Sequence, residues 1–157
     1  SISTTATDEY ATPRDIKDVG QTILDMTGGH SGVETRMGII YTEGVVKRGI
    51  SLQRYVDLTS ANAARILGFY PRKGSITPGS DADIAIIDPN FCKKLTLDDL
   101  HSSDYSIWEG WEVQGWPVTT IVRGTVVVDN RKLTGSLGYG QLLRRKIASE
   151  VLQRPVC

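Results

Sequence analysis

The sequence has little cysteine, no excess of charge of either sign and no long apolar run. Its two cysteines, Cys92 and Cys157, lack the close spacing of a zinc finger or a disulfide scaffold, so reduced thiols in a cytoplasmic protein are expected. The 18 basic residues balance the 18 acidic residues, which argues against nucleic acid or an anionic membrane as a partner. No stretch approaches the roughly 20 apolar residues of a membrane helix, and the chain does not open on a signal peptide. These absences favour a soluble protein that acts on a small or neutral partner.

The length of 157 residues suits one ordinary domain rather than two. The chain begins at Ser1, without an initiating Met, and runs directly into β-favouring residues. We therefore expect that further sequence precedes it and that the chain is a fragment of a longer protein.

The N-terminal part predicts a short strand followed by a long loop. Residues 1–8 are rich in β-branched side chains, and Asp8 lies where this run ends. Residues 9–32 are polar and interrupted by glycine and proline, which indicates a functional loop with a short helix at about 16–24.

Three helices are predicted next, forming an α-rich layer. The first covers residues 34–47 and can end at Gly49. Ser51 can cap the second helix, and Ser60 can cap a third that ends before Gly68.

From residue 84 the spacing of the apolar residues changes from that of a helix to that of a strand. Residues 84–87 predict a strand closed by Asp88 and Pro89, and residues 117–128 predict a hairpin that turns at Gly124. Residues 141–152 are amphipathic and predict a tail helix with an uncovered apolar face. That face comprises Leu142, Leu143, Ile147, Val151 and Leu152.

Several phrases resemble a known family. Residues 79–89, Gly-Ser-Asp-Ala-Asp-Ile-Ala-Ile-Ile-Asp-Pro, follow Lys-Gly-Ser-Ile at 73–76 and resemble the signature with which amidohydrolase-superfamily chains leave a catalytic barrel for a small β-sandwich. Other phrases are similar to the dihydropyrimidinase and hydantoinase branch of that superfamily. They lie at residues 59–68, 70–74, 110–113 and 120–124.

The resemblance implies an α/β fold with an all-β lobe. Residues 1–72 would be the last strand and helices of a (β/α)8 barrel, and residues 73–133 would be part of a β-sandwich lobe. Residues 134–157 would form a tail helix that contacts another subunit, because dimers or tetramers are typical of the resembled family.

The resemblance also assigns a role to Asp8. It matches the Asp of a family phrase Thr-Asp-His, although Glu9 stands here in place of the His. Asp8 would bind one of two divalent metal ions, expected to be zinc, and act as general base toward the metal-bound hydroxide. Without the resemblance, a lone Asp at a strand end is more often a turn or cap residue.

The remaining ligands of the family, a His-x-His, a carboxylated lysine and two further histidines, have no counterpart in this sequence. Both of its histidines, His30 and His101, lie in other contexts. A zinc site needs three or four protein ligands, so we expect the 157-residue chain alone to bind no catalytic metal tightly and to be inactive.

The loop before residue 32 also departs from the family pattern. The family carries an Asn-Gly pair ahead of a Gly-Val-Glu phrase, and counting back from residues 32–34 places Gly28 where that Asn would stand. The backbone of Gly28 and Gly29, or the side chain of His30, is expected to contact substrate in its place. The plainer interpretation of His30 is a solvated loop residue.

The implied function is hydrolysis of a C–N bond in a small cyclic amide or imide, such as a hydantoin or dihydropyrimidine ring. Two alternatives stay open: a non-catalytic scaffolding relative, and an allantoinase-like amidase. Aromatic side chains near residue 110 could form a stacking platform, but the zero net charge and strand-like setting favour packing. These side chains are Tyr105, Trp108, Trp111 and Trp116.

Overall fold

The computed structural model describes residues 4–7, 13–17, 22–25, 28–101 and 104–153. A layer of helices precedes a small antiparallel sheet along the chain. The helices are α1 (Arg14–Lys17), α2 (Arg36–Ile40), α3 (Leu52–Val56), α4 (Asn62–Leu67) and α5 (Ser149–Gln153), with π-helical segments at Tyr41–Val46 and Asp57–Ala61 and a 3-10 turn at Leu97–Asp99. The strands are β1 (Ile84–Lys94), β2 (Glu112–Val122), β3 (Thr125–Asp129) and β4 (Lys132–Leu133). No helix in the described ranges is both long enough and apolar enough to cross a membrane.

The first predicted helix is confirmed. Helix α2 passes directly into the π-helical segment Tyr41–Val46, and the chain turns at Gly49, whose φ is +68°. The Gly49 N–H donates to the Val45 carbonyl at 3.1 Å, which satisfies one of the last carbonyls of the helix.

The second and third predicted helices are one continuous helical run. Ser51 caps its start as predicted, since its hydroxyl accepts a hydrogen bond from Arg54 N–H at 3.1 Å. The prediction that Ser60 starts a new helix is wrong, because α3, the segment Asp57–Ala61 and α4 follow without a break. Buried Leu58 and Ala61 on either side of Ser60 continue the packed face, so packing carries the helix through this serine. Gly68, with φ +76°, ends the run as predicted.

The N-terminal predictions need correction. Residues 4–7 form no strand; instead Thr5 N–H and the Thr4 hydroxyl both donate to the Leu58 carbonyl at 3.0 Å, so this segment lies on the helix layer. Of the short helix expected at 16–24, residues 16 and 17 belong to α1 and residues 18–21 lie outside the described residues. Residues 22–24 are not helical, and the Thr22 hydroxyl donates to the Asp25 carboxylate at 2.9 Å in a turn. Such local side-chain bonds compete with helix formation.

The sheet has the order β1-β2-β3-β4 and is antiparallel throughout. The predicted hairpin is confirmed, since Val122 pairs with Thr125 around a turn that contains Gly124. The prediction that the first strand ends at Asp88 and Pro89 is wrong, because β1 continues to Lys94. Its register with β2 shifts between Asp88 and Cys92, and such an irregularity accommodates a proline within a strand.

The helix layer and the sheet meet at a small apolar core. Ile39 from α2, Leu95 after β1 and Val113 from β2 are buried together. Buried Thr42 links the layers further, since its hydroxyl donates to the Gly38 carbonyl at 2.8 Å and accepts from Gln114 N–H at 2.9 Å. This interface fixes the sheet against the first helix.

The tail is helical only at its end. The prediction of a helix over 141–152 is wrong for residues 141–148, and α5 covers only Ser149–Gln153. Lys146 N–H donates to the distant Gly68 carbonyl at 3.0 Å. This hydrogen bond takes the place of the one that Lys146 N–H would make to the carbonyl four residues earlier in a helix. Leu142 and Leu152 are 95% and 71% exposed. Three other members of the predicted apolar face are half-buried: Leu143, Ile147 and Val151.

Candidate functional site

The predicted catalytic and metal-binding residue Asp8 lies outside the described residues, as does Glu9. The residue immediately before them, Thr7, is described and partly buried. The hydrogen bonds of Thr4 and Thr5 to the Leu58 carbonyl hold the chain that leads to Thr7 on the helical run. The structure therefore describes residues 4–7, which precede Asp8, and the helical run on which they lie.

The three predicted substrate-contact residues lie in one loop. Gly28 is exposed, whereas Gly29 and His30 are partly buried. Gly29 adopts a φ of +74°, in the left-handed region that favours glycine. This backbone turn leads directly into His30.

The His30 side chain lies against Gly32 and next to Thr7. An ideal Cβ atom on Gly32 would lie 2.6 Å from Thr7 Oγ1, 2.8 Å from His30 Cε1 and 3.1 Å from His30 Nδ1. Residue 32 therefore has no room for a side chain, and the two polar atoms lie on the same side of it. Both His30 Nδ1 and Thr7 Oγ1 are buried and have no hydrogen-bond partner in the described part of the chain.

This cluster of Thr7, His30 and Gly32 brings one predicted contact residue, His30, next to the residue that precedes Asp8. The sequence interpretation did not single out Thr7. Its position next to Asp8 in the sequence was the available signal.

Two further residues of the same loop contact the segment around residue 101. The buried Ser31 hydroxyl donates to the Tyr105 carbonyl at 3.1 Å. His101 N–H donates to both carboxylate oxygens of Glu34, at 3.0 and 2.9 Å. Neither contact was predicted, because 67 and 74 positions separate the partners along the chain.

The signature phrase at 79–89 forms an ion network at the junction of helices and sheet. Lys73 forms ion pairs with Asp81, at 2.9 Å, and with Asp83. Asp83 also accepts a hydrogen bond from Arg123 N–H at 2.8 Å, and Gly124 N–H donates to the Ala82 carbonyl at 3.0 Å. The phrase thus joins Lys73, in the segment after α4, to the β2–β3 turn and has a structural role.

This network changes the acidity of its members. Burial alone would raise the pKa of Asp83, but the hydrogen bonds from Lys73 and from Arg123 N–H lower it below its usual value. Burial alone would lower the pKa of Lys73, but its hydrogen bonds to Asp83 and Asp81 raise it. Both groups are therefore stabilised in their charged forms.

The tryptophans pack as predicted. Trp108 and Trp111 meet edge to face with ring centroids 4.9 Å apart, and Trp116 lies 6.2 Å from Phe91. Trp108 and Trp116 also pack against the buried core. They support the interface between helices and sheet.

Within the described ranges, no three His, Cys, Asp or Glu side chains lie together as a group that could hold a metal ion. These residues alone therefore do not fit a metal centre, which needs three or four protein ligands.

The profile of the Amidohydrolase family matches residues 2–127, most of the chain. The chain belongs to the Amidohydrolase family. Within this family it is similar to D-phenylhydantoinase from Escherichia coli, with 45% identity over 119 residues that cover 75% of this chain and 26% of that protein.

Solved amidohydrolase structures superpose closely on the chain. A D-hydantoinase crystal structure gives a TM-score of 0.86 at 35% identity and covers 92% of this chain and 32% of that one. A dihydropyrimidinase from Brevibacillus agri gives 0.87 at 34% identity, covering 93% and 32%. The resemblance to the dihydropyrimidinase and hydantoinase branch is confirmed.

The chain spans about a quarter to a third of the length of these amidohydrolases, 26% of the E. coli protein and 32% of the B. agri protein. The small antiparallel sheet and the helices before it are thus a partial fold of a larger amidohydrolase architecture.

Proposed function

We propose that the chain functions as the C-terminal portion of a hydrolase that opens a C–N bond in a small cyclic amide or imide, such as a hydantoin or dihydropyrimidine ring. The observation that carries the proposal is the 45% identity to D-phenylhydantoinase over 119 residues. The TM-scores of 0.86 and 0.87 to D-hydantoinase and dihydropyrimidinase support it.

In this proposal, Asp8 is the general base and proton carrier of the reaction. A carboxylate that accepts a proton during attack can return it to the departing amide nitrogen, and such proton transfers contribute about 10² to 10⁴-fold to rate. His30 lies beside Thr7, the neighbour of Asp8, which supports a place for the loop of Gly28, Gly29 and His30 at the substrate.

The complete enzyme would use two divalent metal ions, which we propose to be zinc. Asp8 would be one ligand, and the others would come from parts of the barrel outside this chain, since the described residues form no metal-binding group. Metal content by mass spectrometry of the complete protein tests this.

The proposed architecture places residues 1–72 in the barrel and residues 73–133 in a β-sandwich lobe, with the tail 134–157 at a contact between subunits of a cytoplasmic dimer or tetramer. The exposure of Leu142 and Leu152 supports the contact, because another subunit would cover these apolar side chains.

The second candidate is a non-catalytic scaffolding relative. Glu9 in place of the family His, and Gly28 in place of the family Asn, are the departures that favour it. An allantoinase-like amidase would share the chemistry but not the substrate.

The deciding experiment measures ring opening by the complete protein with hydantoin, 5-phenylhydantoin, dihydrouracil and allantoin, with and without added zinc. Metal-dependent hydrolysis of at least one ring supports the proposal. No hydrolysis by a folded, metal-loaded protein would favour the scaffolding relative. The upstream sequence, read for His-x-His and the bridging lysine, gives an independent answer.

A further inference from the structure

Glu34 makes the contact that joins the candidate substrate loop to the segment after the 3-10 turn. Both of its carboxylate oxygens accept the backbone N–H of His101, at 3.0 and 2.9 Å, and Oε2 also lies 3.2 Å from His101 Nδ1. The Glu34 side chain is 26% exposed, whereas the His101 side chain is 88% exposed. The carboxylate is therefore the partly buried member and is directed at the backbone.

A second contact lies three residues earlier in the loop. Ser31 is only 5% exposed, and its hydroxyl donates to the Tyr105 carbonyl at 3.1 Å. Ser31 and Glu34 thus lie on either side of Gly32, the residue against which Thr7 and His30 pack. The backbones of His101 and Tyr105 thus hold the loop at two points.

We infer that Glu34 is a positioning residue for the substrate site: its carboxylate fixes the loop of Gly28, Gly29 and His30 against the backbone of His101, so that His30 stays beside Thr7. This inference rests on the proposed function for its effect on catalysis. Glu34 is the Glu of the family phrase Gly-Val-Glu. Neither the proposed substrate contacts nor the proposed metal ligands include it.

The contact differs in kind from an ordinary surface ion pair. Exposed ion pairs contribute little, because both long side chains lose freedom and solvent screens the charges. Here the donor is a fixed backbone N–H and the acceptor is a side-chain carboxylate, so only one long side chain loses freedom. A misplacement of reacting groups by about 1 Å costs up to about 10²-fold in rate, which sets the scale of the effect expected from losing this contact.

The test compares variants of the complete protein that remove either the acceptor or the donor of the hydrogen bonds between Glu34 and His101 N–H. Glu34→Ala removes the acceptor, and His101→Pro removes the N–H donor. Leu100, with φ −105° and ψ 149°, has the extended conformation that the residue before a proline prefers. Glu34→Gln keeps one oxygen that can accept the N–H. Glu43→Ala is the matched control. Glu43 lies in the π-helical segment Tyr41–Val46, its side chain is 23% exposed, and it forms ion pairs with Lys47 and Arg48.

We expect Glu34→Ala and His101→Pro each to lower kcat/KM by about 10- to 100-fold, with a rise in KM, while the double variant falls no further than either single variant. Glu34→Gln should stay within about fivefold of the parent, because one hydrogen bond remains. Hydrogen exchange should rise in peptides covering residues 28–36 in Glu34→Ala but not in Glu43→Ala.

Equal kcat/KM and equal exchange in Glu34→Ala and Glu43→Ala would overturn the inference. A double variant whose loss is the product of the two single losses would also contradict it. If Glu34→Ala does not fold, the same comparison between Glu34→Gln, His101→Pro and Glu43→Ala decides. If the parent protein hydrolyses no ring, the proposed function fails, and the exchange measurement still decides whether Glu34 positions the loop.

Discussion

The ring of Tyr41 lies directly against the α-carbon of Gly115, so closely that a methyl group at position 115 would overlap it. Gly115 also has a φ of +81°, in the region that L side chains rarely adopt. The two residues belong to the first helical run and to β2, so their contact sets how closely the helix layer approaches the sheet.

Gly115→Ala should therefore destabilise the protein in two ways. The positive φ costs about 1 to 2 kcal/mol for a residue with a Cβ, and the overlap with Tyr41 adds about 1 to 3 kcal/mol. Gly124→Ala is the control, because Gly124 has a φ of +79° but no described heavy atom within 4 Å of its Cβ position. Urea denaturation should rank the parent above Gly124→Ala and Gly124→Ala above Gly115→Ala. Equal losses would show that Tyr41 moves away without cost.

The elements that the sequence predicted correctly depend on local chemistry. Ser51 caps a helix through Arg54, three residues away, and Gly68 ends the same run through its own backbone. The wrong predictions depend on distant contacts. The helix passes Ser60 because the apolar face is continuous, and the tail leaves the helix where Lys146 bonds to Gly68.

The same division applies to the candidate site. The resemblance predicted that Asp8 and the loop of Gly28 to His30 act on the same substrate, but it gave no distances. Thr7 and His30 meet at Gly32, and Glu34 bonds to His101; these residues are far apart in sequence and show no periodic pattern. Only packing of the whole layer brings them together.

The ion pair of Lys73 and Asp83 predicts a pH dependence of stability. The pKa of Asp83 is lowered on folding, so its contribution is present above its usual value near 3.8 and is lost as the pH falls through the lower folded value. The pKa of Lys73 is raised, so its contribution is present below its usual value near 10.5 and is lost as the pH rises through the higher folded value.

Asp83→Asn should therefore lower the free energy of unfolding at pH 7 by about 1 kcal/mol or less, since the pair is partly exposed and Arg123 N–H keeps an acceptor. The difference from the parent should shrink below about pH 4 and persist to about pH 10. Asp129→Asn, at an exposed carboxylate on β3, is the control. A difference between parent and Asp83→Asn that is the same at pH 3 and pH 7 would contradict this account.

Gly28 gives a direct test of substrate choice. No described heavy atom lies within 4 Å of its Cβ position, so Gly28→Asn adds the family amide without a clash among the described residues. The amide should hydrogen-bond the edge of the ring and raise the rate with hydantoin or dihydrouracil, relative to other cyclic amides, by roughly 2- to 10-fold. Gly28→Ala makes the same backbone change without the amide. Relative rates that Gly28→Asn leaves unchanged across the panel would exclude this role.

Asp8→Asn in the complete protein should lower turnover by about 10² to 10⁴-fold, because the amide keeps the size of the carboxylate but cannot take a proton at neutral pH. Turnover and metal content must be measured on the same samples. A fall in turnover with full metal content assigns proton transfer to Asp8, whereas a parallel loss of metal assigns ligation. Asp15→Asn, at an exposed carboxylate in α1, is the control and should leave both unchanged.

The isolated 157-residue chain gives a second test of the role proposed for Asp8. Its described residues form no metal-binding group, and one further carboxylate does not hold a catalytic zinc, since such sites use three protein ligands. The purified chain should therefore neither retain zinc through dialysis nor open a cyclic amide at a measurable rate. Zinc-dependent hydrolysis by this chain alone, or near-normal turnover of Asp8→Asn in the complete protein, would place the catalytic groups elsewhere in the sequence.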